Sequence, residues 1–358
     1  MIYLDYQATT PLAPEAREAM MPWLTGPEAM GFANPHSPHR AGRAAAAAVE
    51  VAREQVAALF PSGGRVIFTG SATEAINLAI FGRKYRQLAV STIEHAAVLD
   101  AARAYDAQVH WLETDNNGIV ADAPIPPGTN LVAVMQVNNE IGTIQPVAEL
   151  ACSAHAAGAL FLCDAVQGAG KLAPPDGADM IALSAHKLYG PKGIGALWLR
   201  DGVELTPLLH GGGQEQGLRS GTLSPALCAG FGAAAALAKV RMAEDAAHVA
   251  TLWLRAREIL SGWTLNGDAE RRWHGNLNVC KDGLDVARLM SDLRDLAFSA
   301  GSACASGSGR PSHVLRAIGL SDRQAKSSVR IGFGRYTTLG DVEDACARIN
   351  AAAAAQGV

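Results

Sequence analysis

Short apolar runs alternate with helical patterns along the first two thirds of the chain. Strands are predicted at residues 65–69, 87–92, 131–137, 159–163, 180–184 and 195–199. Helices are predicted between them at residues 72–81, 95–104 and 148–157. The strand runs are apolar at successive positions, which is typical of strands covered by helices on both faces. This alternation predicts an α/β fold with a mainly parallel sheet.

The pattern changes after about Gly232. The alanine-rich stretches at residues 233–260 and 351–355 are predicted to be helical, because alanine has the highest helix propensity. Further elements are predicted at residues 276–280 and 329–333 (strands) and 284–293 (helix). These elements indicate a second, smaller α+β domain. We expect residues 15–240 to form the large domain, and residues 1–14 with 241–358 to form the small one.

The composition excludes several classes of protein. The 358 residues are 49% hydrophobic and 18% charged, with a net charge of −4. The length suits two domains, and the charge offers no basic surface for nucleic acid or an anionic membrane. The chain contains no apolar run of about 18 residues and no signal-peptide pattern at its N-terminus. We therefore expect a cytoplasmic protein with no nucleic-acid or membrane partner.

The cysteines do not follow the spacing of a disulfide framework or a metal site. They are Cys152, Cys163, Cys228, Cys280, Cys304 and Cys346. No pair forms C-x-x-C, which favours a reduced compartment. Cys152 and His155 form one C-x-x-H, but a structural zinc site needs a second pair at similar spacing, and none follows. We therefore expect no metal, and an ordinary helix face at this position.

The first segment with candidate chemistry is V-I-F-T-G-S-A-T-E-A-I-N at residues 66–77. A strand ends at Thr69 and a helix begins near Ala72, so free amides and the helix dipole favour a bound anion. Ser71 and Thr73 add hydroxyl donors. The alternative is helix capping alone, with Ser71 as the N-cap and Glu74 three residues later.

Two further segments place a charge at the end of an apolar strand. Asp164 ends the strand that precedes A-V-Q, where open α/β sheets bind ligands, and a buried carboxylate there needs a cationic or N–H partner. A pyridinium nitrogen is one such partner, whereas capping of the next turn is the alternative. Lys187 follows the strand M-I-A-L-S in S-A-H-K-L-Y-G-P-K-G. Desolvation lowers a lysine pKa and favours a Schiff base with an aldehyde cofactor. Lys192 is the competing lysine, in a Gly/Pro turn.

Residues 299–309 form a segment of eleven small residues that includes Cys304. Such a segment has little to bury, so the composition predicts a flexible arm. A structural cysteine normally lies in an apolar run. The position of Cys304 therefore suits a nucleophile that must move, and an inert linker cysteine is the alternative.

Together these segments resemble the cysteine desulfurases of the NifS/IscS type, within the class-V aminotransferase family of fold-type I pyridoxal-phosphate enzymes. The resemblance runs nearly end to end. Its motifs are Y-L-D-Y-Q-A-T-T-P, N-P-H-S, G-S-A-T-E, T-I-E-H, V-N-N-E-I-G, D-A-V-Q, S-A-H-K-L-Y-G-P-K-G, H-G-G-G-Q-E-Q-G-L-R-S-G-T, G-S-A-C and S-S-V-R. It implies a large domain with a mainly parallel seven-stranded sheet and a smaller α+β domain that carries the catalytic cysteine.

The resemblance also implies a role for each matching residue. Lys187 would bind pyridoxal 5'-phosphate, Asp164 would face its pyridine nitrogen, and His95 would stack on its ring and move protons. Gln167 and Asn139 would lie near the ring hydroxyl.

The phosphate group would be held by Ala72, Thr73, Ser184 and His186. Thr222 matches a phosphate contact that the family supplies from the other subunit, which implies a homodimer with shared active sites.

Arg330 and Asn34 match the anchors of the substrate carboxylate, and a planar guanidinium suits that task. For Arg330 a strand-end ion pair is the alternative. The implied reaction converts L-cysteine to L-alanine and leaves a persulfide on Cys304. The sulfur would pass to an acceptor protein, for iron–sulfur cluster assembly or tRNA thiolation.

The sequence departs from the family pattern at Ala185, Ala75 and Val166, which lie beside contact residues. It also ends at Val358, before the tail with which IscS-type members dock a scaffold protein, so we do not expect that partnership. One alternative is another class-V enzyme, such as an aminotransferase for small amino acids or a selenocysteine lyase. It would keep Lys187 and Asp164 without needing Cys304. A non-catalytic binding subunit is the other alternative, and the intact lysine and aspartate argue against it.

Overall fold

The computed structural model describes residues 1–120, 124–301 and 311–358. Its helices are α1 (Pro14–Met20), α2 (Arg40–Ala57), α3 (Ala72–Phe81), α4 (Ala96–Ala104), α5 (Val147–Ala156), α6 (Pro225–Ile259), α7 (Val286–Asp292), α8 (His313–Ala317), α9 (Asp322–Lys326) and α10 (Leu339–Ala354). Its strands are β1 (Ile2–Tyr3), β2 (Gly64–Thr69), β3 (Gln87–Ser91), β4 (Gln108–Leu112), β5 (Leu131–Ala133), β6 (Leu160–Asp164), β7 (Met180–Ser184), β8 (Gly195–Arg200), β9 (Thr264–Leu265), β10 (Asn276–Cys280), β11 (Leu296–Ala297), β12 (Ser299–Ala300) and β13 (Ser328–Gly332).

A seven-stranded sheet in the order β2-β8-β7-β6-β5-β3-β4 forms the centre of the fold. The pairs from β7 to β4 are all parallel, and only β8 runs antiparallel to its two neighbours. The predicted α/β fold with a mainly parallel seven-stranded sheet is therefore confirmed.

Both faces of this sheet are buried, which explains why its strands are apolar at successive positions. Along β2, Phe68 points into a cluster with α2 and α6, whereas Ile67 points into a cluster with α3 and α4 on the opposite face. In β6, Phe161 lies on the face toward α2 and α6, and Leu162 lies on the face toward α3 and α4.

Some elements of this region differ from the sequence prediction, among them α2, β4 and β5. β4 was not predicted, because it is an edge strand, paired with β3, and polar Gln108 and His110 are exposed along it. The strand predicted at residues 131–137 ends at Ala133. Beyond that residue the chain leads to Asn139 at the candidate site.

The second region contains a four-stranded sheet in the order β12-β13-β10-β9 and a two-stranded parallel pair, β1-β11. Its own apolar cluster, which we call the second cluster, includes Leu4, Val279, Leu289, Ile331 and Ile349. The N-terminal strand β1 thus joins the C-terminal third of the chain. Leu4 lies in this cluster, whereas Tyr6 and Ala13 pack in the cluster with α2, so the division at residues 1–14, 15–240 and 241–358 stays a prediction.

Helix α6 connects the two regions. Phe231 and Ala234 near its start pack in the cluster with α2, which we call the first cluster, and Val249 and Leu252 pack in the second cluster. By length and composition α6 could cross a membrane, since an 18-residue window has a mean hydropathy of 1.3. The sequence did not indicate such a span, because charged residues interrupt the apolar run. Part of that window, 44%, is buried in the protein, where α6 contacts α1, α2 and α10.

Candidate active site

A cavity of about 250 Å³ lies beyond the C-terminal ends of the parallel strands, where open α/β sheets bind ligands. The cavity is lined by segments that follow β2, β3, β5, β6 and β7, and by a residue of β13. The structure brings these predicted site residues together there: Ala72, Thr73, His95, Asn139, Asp164, Gln167, Ser184, His186, Lys187 and Arg330.

Lys187 ends a single 3-10 turn, Ala185–Lys187, that follows β7 directly. Its Nζ donates hydrogen bonds to the backbone oxygens of Gln7, at 2.6 Å, and Ala8, at 2.8 Å. The ammonium group is therefore held by the N-terminal segment. Lys192, the competing lysine, is exposed and does not line the cavity.

The backbone just after Lys187 is strained. Tyr189 has a φ of 67°, a left-handed conformation that costs a residue with a side chain on the order of 1–3 kcal/mol. Two hydrogen bonds hold it, since its N–H donates to Thr10 Oγ1 at 2.7 Å and its hydroxyl accepts from the Arg335 N–H at 2.7 Å. The turn that presents Lys187 is thus fixed by contacts from both ends of the chain.

Asp164 is the last residue of β6 and only 5% exposed. Its Oδ1 accepts a hydrogen bond from the Val166 N–H at 2.9 Å. Burial raises the pKa of Asp164, and the neighbouring His95 and Lys187 act in the opposite direction. A carboxylate in this position is stabilised by a cationic partner in the cavity, as a protonated ring nitrogen would be.

His95 is the N-cap residue of α4, and its Nδ1 accepts a hydrogen bond from the Ala97 N–H at 3.1 Å. A neutral imidazole whose Nδ1 is an acceptor carries its proton on Nε2. The cap therefore fixes both the position of the ring and the tautomer with which it can donate a proton.

The start of α3 forms an anion cradle at another wall of the cavity. Ser71 caps the helix by accepting from the Glu74 N–H at 3.3 Å, as predicted, whereas the Glu74 carboxylate accepts from the Gly70 N–H at 2.6 Å and does not complete a capping box. The amides of Ala72 and Thr73 belong to the first turn, which has no intrahelical partners, and they remain suited to an anion.

His186 lies on the same cavity. Burial, together with the positive charges of Lys187, Lys192 and Lys171, lowers its pKa to about 4. Its imidazole is therefore neutral near pH 7. Its Nδ1 lies 3.1 Å from Thr9 Oγ1.

The residues of the cavity fit pyridoxal 5'-phosphate. Gln167 donates from Nε2 to the Gln7 carbonyl at 2.9 Å, but its buried Oε1 has no hydrogen-bond partner among the described residues. A hydroxyl group on a bound ring would satisfy that acceptor. The other groups of the cofactor match as well: the aldehyde suits Lys187, the ring nitrogen suits Asp164, and the phosphate suits the start of α3.

Arg330 lies in β13 and is 1% exposed. Its Nη2 donates to Asp5 Oδ1 at 2.7 Å, and its Nη1 donates to the Asn139 carbonyl at 3.0 Å. The guanidinium is part of the cavity wall, and within residues 1–120, 124–301 and 311–358 its buried Nε has no partner. Arg330 thus forms the ion pair that was the alternative prediction, and it also lies on the cavity.

Two predicted site residues that the structure describes do not line this cavity. Asn34 is exposed, and its Oδ1 accepts from the His36 N–H at 2.9 Å. Thr222 is also exposed, in the loop before α6. Cys304 lies at residues 302–310, outside the described residues.

The sequence analysis also missed residues that contribute to the site. They are Gln7, Ala8, Met135, Val137 and Val166 on the cavity wall, and Asp5 behind Arg330. The motif Y-L-D-Y-Q-A-T-T-P contains three of them. The resemblance to the family included this motif. The motif did not indicate which of its side chains contact Lys187 or Arg330.

The chain belongs to the class-V aminotransferase family, whose sequence profile it matches over residues 2–344. Within this family its relatives are cysteine desulfurases. The cysteine desulfurase IscS of Shewanella denitrificans is 44% identical over 369 residues, which cover 96% of this chain and 90% of the relative. The mitochondrial cysteine desulfurase of Arthroderma benhamiae is 43% identical over 368 residues, covering 96% and 72%.

Solved structures show the same likeness. A NifS-like protein superposes with a TM-score of 0.89 at 30% identity, over 98% of each chain. A structure of SspA in complex with cysteine is 35% identical, with a TM-score of 0.81 over 94% of this chain and all of the other. The predicted likeness to NifS/IscS-type cysteine desulfurases is confirmed.

Proposed function

We propose that this protein uses pyridoxal 5'-phosphate to convert L-cysteine to L-alanine and keeps the released sulfur as a persulfide on Cys304. The observation that carries the proposal is the cavity that joins Lys187, Asp164 and His95 at the strand ends, in a chain of the class-V family. The similarity to a structure that contains cysteine supports the choice of substrate.

Lys187 would bind the cofactor aldehyde, Asp164 would face the ring nitrogen, and Gln167 and Asn139 would lie beside the ring hydroxyl. The phosphate would rest against Ala72, Thr73, Ser184 and His186. When bound, the cofactor supplies an electron sink for negative charge at the substrate Cα. The chain's own residues bind and orient the substrate and move its protons.

Arg330 orients the substrate carboxylate by charge-assisted hydrogen bonds. The Lys187 amine removes the Cα proton as a base. The Cys304 thiolate then attacks the substrate sulfur, the bond between that sulfur and Cβ breaks, and its electrons remain on the carbon side. L-Alanine leaves with the proton that Cys304 gave up, so that cysteine and a thiol become alanine and a persulfide.

The Cys304 thiol must lose a proton before it attacks. An ordinary cysteine has a pKa of about 8.5, so only a few per cent is thiolate at neutral pH. We propose that His95 on the cavity wall relays this proton: its Nε2–H donates to the substrate-derived carbon as the carbon–sulfur bond breaks, and the Cys304 proton replaces it on Nε2.

We further propose a homodimer in which Thr222 completes the phosphate site of the partner subunit. Thr222 is exposed and away from the cavity of its own chain, and Leu208 and Leu209, in the segment that precedes it, are exposed hydrophobic residues. Mixing Lys187→Ala chains with Thr222→Ala chains tests this proposal, because one composite site per mixed dimer would be intact. Recovery of activity on mixing is expected, and its absence in proven mixed dimers would contradict shared sites.

The sulfur would pass from Cys304 to an acceptor protein, for iron–sulfur cluster assembly or tRNA thiolation. We place this transfer in the reducing cytoplasm, where cysteine thiols are kept reduced. The described cysteines Cys152, Cys163, Cys228, Cys280 and Cys346 are all free, which supports this compartment.

The test compares Cys304→Ala with Cys152→Ala, a change at an exposed cysteine away from the cavity. We expect Cys304→Ala to keep the yellow colour of the lysine-bound cofactor but to lose alanine and sulfide formation from L-cysteine. Cys152→Ala should keep both. Sulfide release by Cys304→Ala at the wild-type rate would refute the desulfurase mechanism and favour another class-V activity.

A further inference from the structure

Glu140 is buried, with 3% of its surface exposed, and none of the roles above uses it. Its carboxylate Oε2 accepts a hydrogen bond from Ser312 Oγ. Its backbone oxygen accepts from Asn278 Nδ2 at 2.9 Å, and its N–H donates to Asn138 Oδ1 at 2.9 Å. Among the residues that the structure describes, Ser312 is the side-chain partner of this carboxylate, and a buried carboxylate with a defined partner indicates a specific structural role.

Its partners border residues 302–310, which carry Cys304. On one side, Asn278 Nδ2 also donates to the Gly301 carbonyl at 3.4 Å, and the Gly301 N–H donates to the Ser328 carbonyl at 2.7 Å. On the other side, Ser312 caps α8 by accepting from the Leu315 N–H at 3.0 Å. Both ends of the cysteine-bearing segment are therefore tied to residue 140.

The same turn holds Arg330. The Asn139 carbonyl accepts from Arg330 Nη1 at 3.0 Å, and Asn278 in β10 lies directly opposite Arg330 in β13. The turn itself is fixed by Asn138, whose side chain accepts from the Ile141 N–H at 3.0 Å and donates to the Ile93 carbonyl at 2.9 Å. One turn thus contacts Arg330 and Ser312 directly, and is linked to Gly301 through Asn278.

We propose that Glu140 is a positioning residue whose carboxylate sets where Ser312, on the C-terminal side of the Cys304 segment, lies relative to Arg330. The inference rests on the proposed desulfurase function, because it concerns the transfer of sulfur to Cys304. It predicts that Glu140 affects the attack on sulfur and leaves proton removal by Lys187 unaffected.

Three variants and one matched control test this inference. Glu140→Ala and Ser312→Ala remove the hydrogen bond, whereas Glu140→Gln keeps an oxygen acceptor for Ser312. Ser321→Ala is the control, because Ser321 caps the neighbouring five-residue helix α9 as Ser312 caps the five-residue α8. Each purified holoenzyme is assayed for alanine formation from L-cysteine and for deuterium exchange at Cα of L-alanine, which needs Lys187 but not Cys304.

We expect Glu140→Ala and Ser312→Ala to lower kcat for alanine formation by about a hundredfold, the effect of a misplacement of about 1 Å. Their Cα exchange and the KM for L-cysteine should stay close to wild type. Glu140→Gln should recover most of the rate, and Ser321→Ala should lose none of it. Unchanged kcat in the first two variants, or an equal loss of exchange and kcat, would overturn the proposal. A wild-type protein that forms no alanine would instead contradict the desulfurase function.

Discussion

A buried ion pair anchors the loop that precedes α6, and its loss should lower the free energy of unfolding substantially. Arg53 in α2 contacts Glu215 through two hydrogen bonds of 2.7 Å, from Nη1 to Oε2 and from Nη2 to Oε1. The Glu215 side chain is 1% exposed, and its Oε2 also accepts from the Phe68 N–H at 2.6 Å. Glu215 has a φ of 49°, so the pair holds a backbone conformation that is unfavourable by itself.

Arg53→Ala would leave the Glu215 carboxylate buried without its cation. Breaking one side of such a pair typically costs about 3–5 kcal/mol. The exposed pair between Arg288 and Asp292 spans 3.7 Å with side chains 60% and 51% exposed, so Arg288→Ala should cost about 0–1 kcal/mol. The double change Arg53→Met with Glu215→Gln removes both charges and should be less destabilising than Arg53→Ala, because no unpaired charge remains.

The assay is denaturant unfolding of the cofactor-loaded proteins at one protein concentration and pH 7. A loss below about 1 kcal/mol for Arg53→Ala, or a loss equal to that of Arg288→Ala, would refute the argument that burial makes this pair different. Cofactor affinity, measured in parallel, should also fall in Arg53→Ala, since the same loop leads to Thr222.

Three further predictions follow from the site. Burial raises the pKa of Glu140 from 4.5 to about 7, so the folded state binds this proton more tightly and loses stability as pH rises between these values. Glu140→Gln should remove that part of the pH dependence, about 3 kcal/mol, in unfolding measured at pH 5 and pH 8; equal slopes in both proteins would contradict it. Asp164→Asn should keep the bound cofactor but slow alanine formation about 10²–10³-fold, and a loss of colour would show that its role is binding. Ser71→Ala should lower the free energy of unfolding by about 1 kcal/mol through the lost cap of α3, whereas no change in denaturant midpoint would argue against the cap.

Much of the central sheet could be predicted from the sequence, because its strands are short apolar runs separated by small residues. The predicted bounds of α3 and β7 agree with the structure. β4 could not be predicted from this pattern, because an edge strand need not be apolar on both faces. α2 was missed as well, since its buried face consists of small residues and two valines, Gly42, Ala45, Val49, Ala52 and Val56, in a run of alanines that gives a weak periodic signal.

The cavity could be predicted only where residues follow strand ends or lie in family motifs. Asp164 and Lys187 meet both conditions. The hydrogen bonds of Lys187 to Gln7 and of Glu140 to Ser312 join residues that are 180 and 172 positions apart. No local pattern indicates such pairs, because they depend on how the two regions pack.

Helix α6 limits how substrate can reach Lys187. Its 35 residues form a rod of about 50 Å at 1.5 Å per residue, and this rod is embedded at one end in the first cluster and at the other in the second. A hinge between the two regions would have to bend an unbroken helix and strip apolar side chains from both cores. Access therefore depends on the loops at the entrance of the cavity. Changes in the sequence of these loops alone can alter the entry of cysteine and the release of alanine, while the packing of the two regions stays the same.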